Sequence, residues 1–191
     1  MNVSVALTSD TAYAGLFGYV EGATITDVHL TDVTVTATTA ATSIGGGLVG
    51  YAKGTTIITN CYATVKVDSS SPTKQDAYAY AGGLVGEDSG TIKNCYATGE
   101  VTASSSGSVP YAGGLVGKAS GTIKNSIALN QWVNASGGTN IGRVVGSGTV
   151  TLNYNYAWEG MQTNGNWNNN DGSALSYALW NNSGFFIHAR L

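Results

Sequence analysis

Two cysteines, Cys61 and Cys95, two histidines, His29 and His188, and eleven acids are the groups through which this 191-residue chain could do chemistry. Zinc asks for several His or Cys ligands at short spacing, and here the histidines stand far apart, so no metal site is expected. Glycoside hydrolysis asks for two carboxylates about 5 to 9 Å apart. The acids are scattered, and the adjacent pair Glu87-Asp88 would point to opposite faces of a strand, so it reads as a solvated turn. Neither a Gly-x-Ser-x-Gly elbow nor a phosphate loop with its lysine occurs. The expectation is a chain without catalytic residues or a cofactor. Trp158, Trp167 and Trp180 lie among seven asparagines from Asn164 to Asn182. Rings and amides of this kind suit a sugar-binding face, but the favoured reading is a cap over the last turn of a repeat structure. The run Asn168-Asn169-Asn170-Asp171-Gly172 resembles a calcium loop but lacks the closing Glu, and a tight turn explains it as well.

Composition narrows the field further. The formal net charge is −3, with 8 Lys+Arg against 11 Asp+Glu, which gives no cationic footprint for nucleic acid. Charged residues make up 10% and hydrophobic ones 42%, a balance unlike that of disordered chains. No apolar run approaches the ~20 residues of a membrane-spanning helix. Met1-Asn2-Val3-Ser4 has neither the basic nor the apolar block of a signal peptide, and the expectation is a fragment of a secreted parent.

The 27 glycines are organised. Ala14-Gly15-Leu16-Phe17-Gly18 returns as Gly46-Gly47-Leu48-Val49-Gly50, Gly82-Gly83-Leu84-Val85-Gly86, Gly113-Gly114-Leu115-Val116-Gly117 and Gly142-Arg143-Val144-Val145-Gly146, at intervals of 32, 36, 31 and 29 residues. A second block follows each copy. It reads Thr91-Ile92-Lys93-Asn94-Cys95-Tyr96-Ala97 in the third repeat, with close versions around Asn60 and Asn125 and looser ones around Asp27 and Asn153. Length varies between blocks, in Ser/Thr-rich stretches at Thr36 to Ser43, Asp68 to Tyr80 and Ala103 to Tyr111, which read as loops.

β-Branched, alternating segments broken by glycine every few residues favour strands and exclude helices of useful length. A repeat near thirty residues is short for a propeller blade and suits one coil of a solenoid. The chain is therefore expected to be all-β, a parallel β-solenoid in the form of a right-handed β-helix of about five coils over residues 1–157, with residues 158–191 as an irregular aromatic and Asn-rich cap. Stacking would then bring Leu48, Leu84 and Leu115 into one column and Ile58, Ile92 and Ile123 into another. Asn60, Asn94 and Asn125 would turn a corner together, since Asn tolerates the left-handed conformation and its amides can bond along the stack. Cys61 and Cys95 would be neighbours in one column, as two buried thiols or as a bonded pair. Like charges one coil apart repel, which accounts for their scarcity.

The paired blocks resemble the GLUG motif: closely over residues 82–101, well over 46–65 and 113–128, and loosely over 14–35 and 142–157. That resemblance implies a large secreted or surface-anchored bacterial protein, adhesin-like or the non-catalytic part of an immunoglobulin A peptidase, and no catalytic residues. The implied role is structural or adhesive, with host glycan or a host or bacterial surface protein as partner, at the cell surface or outside the cell. A carbohydrate-active β-helix enzyme and a sugar-binding module are the alternatives. Arg143 in place of glycine and Asp27-Val28-His29 in place of Asn-Cys-Tyr depart from the motif at the two ends of the array.

Overall fold

Short β-branched segments punctuated by glycine and asparagine form strands throughout the computed structural model, which describes residues 1–72, 76–136 and 140–176. Among these residues no helix is long and apolar enough to cross a membrane. The strands stack into a parallel β-solenoid of about five turns.

Four sheets run along the stack. Sheet B comprises Ala12–Ala14, Ser43–Gly46, Ala79–Gly82, Tyr111–Gly113 and Asn140–Gly142. Sheet C follows in each turn with Phe17–Glu21, Val49–Lys53, Val85–Asp88, Val116–Ala119 and Val145–Ser147. Sheet D adds Thr24–Thr26, Ile57–Thr59, Thr91–Lys93, Thr122–Lys124 and Thr151–Asn153. Sheet A closes each turn and carries the longest strands, His29–Thr39 and Tyr62–Ser71, with Asn2–Leu7 at one edge and Ser173–Leu175 at the other.

Equivalent positions sit in register one turn apart, about 4.8 Å along the axis. Ile58 pairs with Ile92, Ile92 with Ile123 and Ile123 with Leu152. Ala63, Ala97, Ala128 and Ala157 form the narrow inward column of sheet A. The Leu48 amide donates to Leu84 O and the Leu84 amide to Leu115 O, both at 2.9 Å, so this column runs through the B–C corner. All these side chains but the half-buried Leu152 are buried, and they belong to the core.

At that corner the second glycine has a steric cause. A Cβ on Gly47 would run into the Gly83 carbonyl, one on Gly83 into the Gly114 carbonyl, and one on Gly114 into the Arg143 carbonyl. Above the fifth turn residues 167–171 cross without a further copy of this glycine corner, and Arg143 is accommodated there, its Nε 3.7 Å from Asp171.

Two sequence expectations need correction. The Ser/Thr-rich stretches begin as strand and not as loop: residues 36–39, 68–71 and 103–105 belong to sheet A, with Thr36 opposite Asp68 and Ser105 opposite Ser71. Short hydroxyl side chains can be buried when bonded. Ser71 Oγ donates to Tyr78 O at 2.7 Å, and Ser69 Oγ lies 3.3 Å from Ser43 Oγ, inside the coil. Glu87-Asp88 is no solvated turn either. Both residues end the strand Val85–Asp88, where alternation sends Glu87 outward and leaves Asp88 buried between Ala52 and Ala119.

Candidate functional site

The corner between sheets D and A carries two parallel ladders. Asp27, Asn60, Asn94 and Asn125 all adopt positive φ, between 50° and 56°. Asn94 Nδ2 donates to Asn60 Oδ1 at 3.2 Å, and Asn125 Nδ2 to Asn94 Oδ1 at 3.4 Å. The amides thus bond along the axis while the backbone bends beneath them. One residue further, a column of Cys61, Cys95, Ser126 and Asn155 faces inward. The Cys61 amide donates to Cys95 Sγ at 3.4 Å, the Cys95 amide to Ser126 Oγ at 3.2 Å, and the Ser126 amide to Asn155 Oδ1 at 3.0 Å. Both cysteines are free and buried. The hydrogen bond with Cys61, together with burial, pushes the Cys95 thiol above the ordinary cysteine range.

Aromatic residues decorate the outside. His29, Tyr62 and Tyr96 stack face to face, with centroids 4.4 and 4.6 Å apart. Such stacking hides the ring faces that a sugar would need. On sheets B and C the arrangement differs. Tyr13, Tyr19 and Tyr51 meet at 5.5 to 6.2 Å, Tyr13 and Tyr51 stacked and Tyr19 edge-on to both, and Tyr78, Tyr80 and Tyr111 at 5.1 to 6.1 Å in edge and tilted geometries. Register places them on one face, because Tyr13 and Tyr80 both pair with Ile44, Tyr80 pairs with Tyr111, and Tyr19 with Tyr51. The Lys118 ammonium lies 5.0 Å from the Tyr80 ring centre and 3.1 Å from Glu87. Burial pushes the Tyr80 phenol up to about 12.

Trp158 and Trp167 are half-buried and pack against the core. The Arg143 guanidinium sits 5.5 Å from the Trp167 ring centre, and Trp167 bridges to Ile141. Trp180 lies outside the described residues. From 162 to 175 the chain lays a shortened further turn: Gln162 bridges to Trp132, Trp167 to Ile141, the Val145 amide donates to Asn170 O, and Ala174 pairs with Ala157. This turn omits sheet D, whose edge strand Thr151–Asn153 has no strand on its outer side among the described residues.

Beside that open edge, at the fifth copy of the Asn corner, stands Tyr154, with φ 54° and 80% of its surface exposed. A cleft of about 260 Å³ opens there, lined by Asn125, Ile127, Tyr154 and Tyr156. Sequence reasoning placed Asn60, Asn94 and Asn125 in the corner column and did not see that Tyr154 continues it. Counting two residues past Leu152, as Asn94 follows Ile92, would have found it.

Two polar groups inside the coil were also missed. Asp88 Oδ1 accepts from the Gly90 amide at 3.2 Å while Oδ2 has no partner, and burial pushes its carboxyl up to about 7. The Asn130 amide lies over Gly83 and Gly114 with neither atom bonded. Among the described residues no three His, Cys, Asp or Glu side chains gather into a metal-binding group.

The chain folds as a parallel coil with glycine corners, and the family model described as the GLUG motif matches two of its repeats, residues 41–68 and 77–102. One solved structure, a 1.30 Å crystal structure of a Bacteroides ovatus protein provisionally named an immunoglobulin A1 protease, is similar over 90% of this chain and 67% of its own. Its TM-score is 0.52 and its identity 21%, so the likeness shows the fold. None of the curated proteins matches the chain.

Proposed function

We propose that this chain is a non-catalytic module of a bacterial surface or secreted protein, a stiff stack that presents an aromatic face to a glycan or a surface protein. The observation that carries the reading is the tyrosine face on sheets B and C, where Tyr13, Tyr19, Tyr51, Tyr78 and Tyr111 lie across four successive turns around the buried Tyr80, most of them meeting edge-on or tilted. Rigid amphipathic rings of this kind supply contact area at low entropic cost and are enriched at interfaces. The match to the GLUG motif over two repeats supports reading the chain as such a surface or secreted module.

Several carboxylates are already engaged as staples between turns, which supports a structural use of charge. Glu21 pairs with Lys53 at 3.4 Å, Glu100 with Lys66 at 3.3 Å and Glu87 with Lys118 at 3.1 Å. A buried acid with a raised pKa, such as Asp88, is a general mark of active sites. Here it is buried between Ala52 and Ala119 of the neighbouring turns, which fits a structural place for it.

Glycan and host-protein arrays probed with the purified chain test the proposal. Saturable binding that falls at least tenfold in a Tyr51→Ala/Tyr111→Ala variant of unchanged fold is the expected result. Binding that is absent, or indifferent to both substitutions, would overturn it in favour of a pure spacer.

A further inference from the structure

We propose that the cleft at the unfinished end of the amide ladder binds one neutral sugar ring. This site is separate from the tyrosine face, and three independent features build it.

The first is an unfinished hydrogen-bond chain. The Asn94 and Asn125 amides each donate to the asparagine oxygen of the turn before, so each oxygen is met by the amide of the turn after. Asn125 Oδ1 is the last, because its successor in the column is Tyr154, which has no amide to give. It remains an outward acceptor at the wall of the cleft.

The second is an open donor. In every earlier turn the corner backbone amide donates to the next turn: Asp27 to Thr59 O, Asn60 to Lys93 O, Asn94 to Lys124 O and Asn125 to Asn153 O, at 3.0 to 3.2 Å. The same geometry aims the Tyr154 amide past the edge of sheet D, where the shortened last turn supplies no strand among the described residues.

The third is the ring itself. A bulky residue with left-handed φ is an outlier that surrounding structure must sustain, and such residues gather at functional sites. Tyr154 holds its ring out at 80% exposure above Ile127 and beside Tyr156. Among the described residues the lining therefore offers an apolar floor, an aromatic wall, an acceptor and a donor, and no ionised group. That set complements a pyranose: its C–H face lies on the Tyr154 ring, one hydroxyl donates to Asn125 Oδ1, and another oxygen accepts from the Tyr154 amide. An ionic ligand would find no counter-charge among the four lining residues.

The test is saturation-transfer NMR on the 191-residue chain with the methyl pyranosides of glucose, galactose, mannose and N-acetylglucosamine. At least one should receive transfer, and Tyr154→Asn should reduce its affinity more than tenfold. The same substitution completes the amide ladder and removes the strained ring, so the variant should also melt a few degrees higher, which keeps loss of binding distinct from loss of fold. Transfer to none of the four sugars, or transfer undiminished in Tyr154→Asn, would overturn the proposal. Transfer lost in Tyr51→Ala/Tyr111→Ala but kept in Tyr154→Asn would overturn it too, while leaving the tyrosine face standing. An extended peptide that protects the Leu152 and Tyr154 amides from exchange, with no sugar bound, would assign the edge to strand addition instead.

Discussion

The Cys61 amide donates to the sulfur of Cys95 one turn further along, at 3.4 Å, and has no other acceptor among the described residues. In the same column Ser126 does the work of the thiol, accepting from the Cys95 amide and donating to Lys124 O at 2.9 Å. Cys95→Ser should therefore cost less than about 1 kcal/mol. Cys95→Val leaves a buried amide without an acceptor and should cost about 1–3 kcal/mol. Urea titrations of the two variants check this, and thiol reagents should label neither cysteine until the chain unfolds.

Asp88 ties stability to pH. Its carboxyl, ordinarily near 3.8, is raised by burial to about 7 in the folded chain, so the native state holds the proton more tightly than the unfolded one. Stability from this group is complete below pH 4, falls as pH rises toward 7, and is level above that. At about 1.4 kcal/mol per unit, the loss is up to about 4 kcal/mol. Urea midpoints measured at pH 5 and pH 8 should separate in the wild type, and the gap should shrink in Asp88→Asn.

Asn94 combines a backbone demand with a side-chain one. Its φ is 53°, and its amide bonds to both neighbours in the ladder. Asn94→Gly meets the first demand and forfeits only exposed hydrogen bonds, for a cost below about 1 kcal/mol. Asn94→Ala meets neither and should lose about 1–2 kcal/mol more. Equal midpoints for the two variants would contradict this account.

Glycines in the array are not equivalent. At Gly83 an added Cβ meets backbone of the next turn, whereas at Gly54, with φ 66°, it meets nothing within 4 Å. Gly83→Ala should prevent soluble expression or abolish cooperative melting. Gly54→Ala should cost about 1 kcal/mol from its backbone angle alone.

The columns were legible in the sequence because a parallel stack writes each position several times, and copies in register reveal what a single strand would not. Leu48, Leu84 and Leu115 announce an inward row only together. Departures confined to one turn were lost for the same reason. Asp88 stands where its neighbours are Ala52 and Ala119, so nothing repeated marked it as inward, and Tyr154 breaks the very asparagine pattern that defines its place. The serines of sheet A misled differently: polarity suggested loops, but Ser69 and Ser71 are small enough to enter the core once their hydroxyls find partners.

Because Asn2–Leu7 and Ser173–Leu175 form opposite edges of sheet A, tension between the two ends of the molecule runs along its interstrand hydrogen bonds and not across them. Those bonds then open in sequence, like a zipper, and not all at once in shear. Each surrendered turn of about thirty residues pays out about 100 Å of chain. A tether made of such turns lengthens stepwise under load, and the turns still folded keep their surface groups in place.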